Sequence, residues 1–339
     1  MIDEDSIWAH LDALAKPRRS LGGLEALAVR LAQTQGRIDP RTRPRHIVLF
    51  AGDHGCVADG VSAWPSAVTG LMVSAILNGS ATSNALAGTH DCALRLVDVG
   101  VASPRPDAAP PFFRDARIAD GTDSLAHGAA MTVAQFEAAW RIGEEEADRA
   151  VDAGAAVLIA GEMGIGNTTP AAALTALLTG LSPNDAVGSG AGADAETVGI
   201  KKRVVADAVD RARALLFPNP TAAIASVAGY EIAAMAGFYA QGARRGATVL
   251  LDGYVTTAAA LIAERLAPGT VRAMIAGHRS AEPGHAASLE YLGLEAILDW
   301  GMRLGEGSGA LVALPMLDAA GALLCNVARL DAIGAARND

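Results

Sequence analysis

One carboxylate lies among glycines late in the chain, in Arg303-Leu304-Gly305-Glu306-Gly307-Ser308-Gly309-Ala310. Glycine has no Cβ, so such a backbone turns sharply and approaches a ligand closely. If a substrate fills that space, Glu306 is the side chain able to take a proton from it. A second stretch offers different chemistry. Gly161-Glu162-Met163-Gly164-Ile165-Gly166-Asn167-Thr168-Thr169-Pro170 is a glycine-rich turn entering a helix, an arrangement that points free N–H groups at an anion. No Lys-Ser/Thr pair follows the glycines, so it is not a Walker A loop. Tight strand–helix packing would ask for the same glycines. A third loop, Gly188-Ser189-Gly190-Ala191-Gly192, precedes Lys201 and Lys202, which read as phosphate partners by charge or as solvated helical lysines. Asp53 and His54, in Gly52-Asp53-His54-Gly55, read equally as functional groups or as a loop tied by its own hydrogen bonds.

Other chemistries fit less well. His278 and His285 are too widely spaced for a zinc pair, and there is neither HExxH nor a cysteine cluster. Glu306-Gly307-Ser308-Gly309 is a poor match to a serine nucleophile elbow. Glu162, Glu282 and Glu306 cannot be paired across a glycosidic bond from sequence distance. What remains is anion-cradling loops, one lysine and a glycine-flanked glutamate: a base acting beside a phosphorylated substrate.

The elements that must position these residues alternate. Short apolar runs at 46–51, 93–99, 156–160, 247–251 and 271–276 read as buried strands, apolar on both faces as in a parallel sheet. Helical spacing is expected in two helices over 5–35, the second capped by Ser20, then at about 65–78, 80–89, 132–153, up to 179, 194–214, 221–245 and 286–293. Residues 41–45 read as a basic linker, and the Pro- and Asp-rich 101–127 as a functional loop or excursion. Strand and helix in alternation imply an α/β fold, a Rossmann-like parallel sheet flanked by helices. Residues 41–300 would form this large domain. Residues 1–40 and 301–339, without strands, would form a smaller helical unit that carries the Glu306 loop.

Composition narrows the partners. The chain has 339 residues, 51% of them apolar and only 4% aromatic, with net charge −10. Few aromatics and no basic stripe argue against nucleic acid and anionic membranes. Three cysteines without CxxC spacing fit reduced thiols. The acidic start is no secretory signal, and no uninterrupted apolar run approaches the ~20 residues of a membrane helix. A soluble, cytoplasmic protein is expected.

The ordered motifs Lys16-Pro17, Ser20-Leu21-Gly22, Gly52-Asp53-His54-Gly55, Gly161 to Thr169, Asp252-Gly253, Ser280-Ala281-Glu282-Pro283-Gly284-His285 and Leu304 to Gly309 closely resemble those of the nicotinate-nucleotide:dimethylbenzimidazole phosphoribosyltransferases of cobalamin biosynthesis. The resemblance spans essentially the whole chain; Arg19 stands where glycine is expected. It implies transfer of 5-phosphoribose from nicotinate mononucleotide to 5,6-dimethylbenzimidazole, giving α-ribazole 5′-phosphate and nicotinate. Glu306 would be the base, with inversion at ribose C1, no cofactor and no metal. Gly164, Gly166, Asn167, Thr168, Gly190, Lys201 and Ser280 would hold phosphate, ribose and nicotinate, with Glu162 and Asp252 lining that side. Ser66, Met72, Ser74 and Leu304 would form the acceptor pocket, and the protein would be a homodimer. A paralogue glycosylating another azole, purine or phenol, and a non-catalytic nucleotide-binding protein, remain as alternatives.

Overall fold

The computed structural model describes residues 2–105 and 108–334. Seven strands form one sheet: β1 (Arg45–Gly52), β2 (Ala93–Gly100), β3 (Phe113–Asp115), β4 (Val157–Met163), β5 (Thr248–Leu251), β6 (Met274–His278) and β7 (Ala296–Leu298). Every pairing is parallel, in the order β3-β2-β1-β4-β5-β6-β7. The chain therefore works outward from β1 in both directions, and the crevice between the carboxyl ends of β1 and β4 is the switch point where ligands gather in such sheets.

Alternation along β1 explains the two layers. Val48 and Phe50 join a core with the helices Val133–Asp152, Thr168–Thr179, Tyr230–Arg244 and Tyr254–Leu266. Ile47, Leu49 and Ala51 enter a second core with the helices Glu4–Asp12, Gly23–Gln35 and Ser308–Asn326. Period-2 geometry sends neighbouring side chains to opposite faces, so the terminal helices meet on one face of the sheet. The helix Ser308–Asn326 is long and apolar enough, by composition, to cross a bilayer, unlike the expectation from uninterrupted runs. Here 61% of its apolar window is buried, and Leu311, Leu314 and Leu317 are core.

Several boundaries differ from expectation. β3 lies inside the 101–127 excursion, and β7 follows it as a second three-residue edge strand; runs that short carry no periodicity to read. The fifth expected strand starts late because the Glu264 carboxylate accepts from the N–H groups of Gly269 and Val271, leaving Thr270–Ala273 as a 3-10 turn. The helix expected over 221–245 breaks into Pro220–Ala225 and Tyr230–Arg244, where Ser226 Oγ donates back to Ala223 O and Gly229 is extended. Ser20 caps nothing. Gly22 flanks the helix Gly23–Gln35, and buried Glu25 binds both Lys16 Nζ (2.9 Å) and Leu21 N (3.0 Å). Arg45 belongs to β1 rather than to a linker, buried against Asp318 and the carbonyl of His90. Arg19 does adopt the left-handed conformation suited to glycine, φ 58°, held by its stacking on Trp8 at 3.6 Å and its ion pair with Asp12.

Candidate active site

At the carboxyl ends of β4, β5 and β6 a cleft is lined by Glu162, Gly164, Gly166, Asn167, Thr168, Gly190, Lys201, Asp252, Ser280 and Leu304. The fold thus brings all nine residues expected on the nucleotide side into one site. Helix Ala195–Arg213 carries Lys201 inward. Its ammonium is buried, donating to Thr168 Oγ1 at 2.6 Å and more distantly to Gly188 O at 3.4 Å. Burial brings it down to about 8, against the opposing pull of Glu282. Asn167 donates to Glu162, a buried carboxyl pushed well above its usual range by burial, then by Asp252, Glu231 and Glu306.

Glu306 is in a separate position from these. Gly305, Glu306 and Gly307 are three successive left-handed residues, with φ 92°, 58° and 73°. A side chain at Gly305 would collide with Glu162, and a Cβ on Gly161 of β4 would stand 2.6 Å from Gly307 N. Loop and strand backbones touch because neither carries a side chain there. The cleft lining runs only as far as Gly305. The Glu306 carboxylate is buried beyond it, where Oε2 accepts from the Ser83 N–H at a long 3.4 Å. Burial raises its proton affinity, the Ser83 contacts partly oppose that, and Asp252 adds to it.

Asp252 holds this loop. Oδ2 accepts from Gly307 N (3.2 Å), and Oδ1 from Gly309 N (2.6 Å) and Ala310 N (3.2 Å). These are the free donors that open the helix Ser308–Asn326, so Asp252 satisfies the helix start from another strand. Its expected place beside the nucleotide is thereby also a scaffolding one. Gly190 is occupied too: its N–H goes to Glu282 Oε1 at 2.9 Å, and Arg303 donates to its carbonyl at 3.0 Å.

Of the residues expected to form the acceptor pocket, Leu304 is 56% exposed at the cleft mouth. Ser66 precedes the helix Ala67–Leu77, on which Met72 is half-buried and Ser74 is exposed with its hydroxyl returned to Gly70 O. These three do not line the cleft with Leu304. The same helix is tied to the glycine turn by Ile165 N donating to Thr69 Oγ1 at 3.1 Å. Asp53 is loop-tying, accepting from Ala102 N at 2.8 Å. His54 Nε2 lies 3.0 Å from Glu231 Oε1, both side chains fully buried. Burial alone would lower this histidine, but Glu231 raises it.

Ser83 and the Glu231 partner of His54 escape the sequence reading. Ser83 acts through its main chain, which no residue type announces. Glu282 was visible within its motif, yet only the fold puts it on Gly190.

A family model described as "Phosphoribosyltransferase" (DBI_PRT) matches residues 3–334. Nicotinate-nucleotide–dimethylbenzimidazole phosphoribosyltransferase of Thermus thermophilus is 46% identical over 316 residues, covering 93% of this chain and 92% of that protein. The protein of the same name from Mycobacterium marinum is 47% identical over 326 residues, covering 96% and 90%. The crystal structure of CobT from Thermus thermophilus superposes with TM-score 0.92 at 44% identity, covering 98% of this chain and 100% of that one.

Proposed function

The chain belongs to this phosphoribosyltransferase family, and we propose that Glu306 is the general base of the transfer it performs, from nicotinate mononucleotide to dimethylbenzimidazole. In the donor, ribose C1 is bonded to a cationic pyridinium nitrogen. That bond breaks with its electron pair going to the ring nitrogen, so nicotinate leaves without needing an acid. The free ring nitrogen of the benzimidazole forms the new bond to C1 from the opposite face, inverting it. The acceptor's N–H proton goes to Glu306. One base suffices for this balance.

The observation that carries the reading is the state of that carboxylate. It is buried, in a left-handed backbone among glycines, and engaged among the described residues by the long Ser83 N–H contact. A carboxyl so placed has proton affinity nearer neutrality and a vacant lone pair to accept with. Lys201 and the 164–168 turn supply the anion-binding side, and the acceptor is expected between Leu304 and the helices Ala67–Leu77 and Thr82–Thr89. The test is to incubate the protein with nicotinate mononucleotide and dimethylbenzimidazole, scoring nicotinate release and the anomer of the product. Release with an α-product supports the mechanism; a β-product overturns inversion. A homodimer is part of this reading, supported by the exposed Leu21, Trp300 and Met316; a monomeric sedimentation coefficient would refute it.

A further inference from the structure

Among the described residues, three buried carboxylates line the cleft: Glu162, Asp252 and Glu282. They differ in what their oxygens hold. Both Asp252 oxygens accept backbone N–H groups, and Glu162 has Asn167 on Oε2, its other oxygen not being among the buried unpartnered atoms. Glu282 Oε1 has Gly190 N, while its Oε2 is buried without a donor. A buried acceptor left unpaired is costly, and in a cleft a ligand can bring the missing hydrogen.

The ligand of the proposed function narrows the choice. At neutral pH the phosphate of nicotinate mononucleotide is mostly dianionic, its carboxylate is ionised, and its ring has no N–H. The ribose hydroxyls are its hydrogen-bond donors. Either anion placed against Oε2 would meet like charge, whereas Lys201, close enough to feel the Glu282 charge, offers the phosphate a cation next door. The other donor in the reaction, the benzimidazole N–H, goes to Glu306.

We propose that Glu282 reads the sugar: its unpaired carboxylate oxygen accepts a hydroxyl of the donor nucleotide's ribose, making the enzyme selective for ribonucleotides over deoxyribonucleotides. The inference rests on the nucleotide reading above. A carboxylate accepting O–H is a strong, charge-assisted contact, and a buried polar group built for a hydroxyl rejects the analogue that lacks it.

The experiment compares nicotinate mononucleotide with its 2′-deoxy and 3′-deoxy forms on the parent, Glu282→Ala and Glu282→Gln. For the parent, kcat/KM is expected to be about 10²-fold lower with one of the two deoxy forms. In Glu282→Ala the ribonucleotide loses activity and the two forms come within about threefold of each other. Glu282→Gln is nearly isosteric and can keep an acceptor on Gly190 N while an NH2 replaces the free oxygen. It is expected to lose most of that discrimination, because a neutral amide donating to the hydroxyl oxygen replaces the charge-assisted contact, and it decides the matter should the alanine variant fail to fold. Parent enzyme using all three nucleotides equally, or a folded variant keeping full discrimination, overturns the proposal. Failure of the parent to release nicotinate from the ribonucleotide would instead refute the underlying function.

Discussion

Asp252 and Glu306 are both buried carboxylates, joined through one loop, and they are partnered in opposite ways. Asp252 holds three backbone N–H groups; Glu306 holds one, at 3.4 Å. Heavy engagement makes an acid a fixture, because both of its oxygens are already committed to holding the chain. Undersupply makes an acid reactive, because it keeps capacity for a proton and stays basic through burial. The loop needs both: Asp252 fixes where Glu306 is, and the glycines let its backbone press against β4.

The largest effect should come from the undersupplied member. Glu306→Gln is expected to lower kcat by about 10² or more, with nucleotide binding retained by calorimetry. Equal turnover would end the contrast.

Asp252→Ala should cost stability as well as rate. It strands three N–H groups, worth about 2–4 kcal/mol, and should lower Tm by several degrees. Glu306→Gln should not. Because the Glu306 carboxyl is raised, the folded state binds its proton more tightly than the unfolded chain does. That contribution to stability is full below the unfolded value and is lost as pH rises through the folded one. Near pH 8 the glutamine variant is therefore expected to melt no lower than the parent.

The pH profile sharpens the same point. kcat/KM should fall at low pH with a midpoint above the ordinary 4.5 of glutamate, since the base must be ionised. Above about pH 8 it should fall again as Lys201 loses its charge, seen as a rising KM for the nucleotide. The glutamine variant's residual activity should lack the acid limb. At the small end, Ser74→Ala removes a hydroxyl that serves its own helix on an exposed face, and should change the acceptor KM less than about twofold.

The central strands were legible because β1, β2, β4 and β5 are short apolar runs closed by glycine or an acid, and a parallel sheet buries both faces. β3 and β7 were not, since three residues at an edge show no pattern. The cleft lining was legible for a similar local reason: Gly161 to Thr169 is contiguous, and its turn sits on a strand end. The role of Asp252 was hidden because its partners are main-chain groups 55 to 58 residues away. Ser83 is further still, 223 residues from Glu306. Long-range main-chain contacts leave no trace in residue type.

Glu306 follows every strand in chain order, and its loop lodges against Gly161 and Asp252, made long before it. Ribosomes release the amino end first. A nascent polypeptide thus has its glycine-rich turns outside the tunnel while the proposed base is still untranslated. On the proposed mechanism, a prematurely terminated or clipped product lacking that last segment would be mute in transfer, however well its strands have formed.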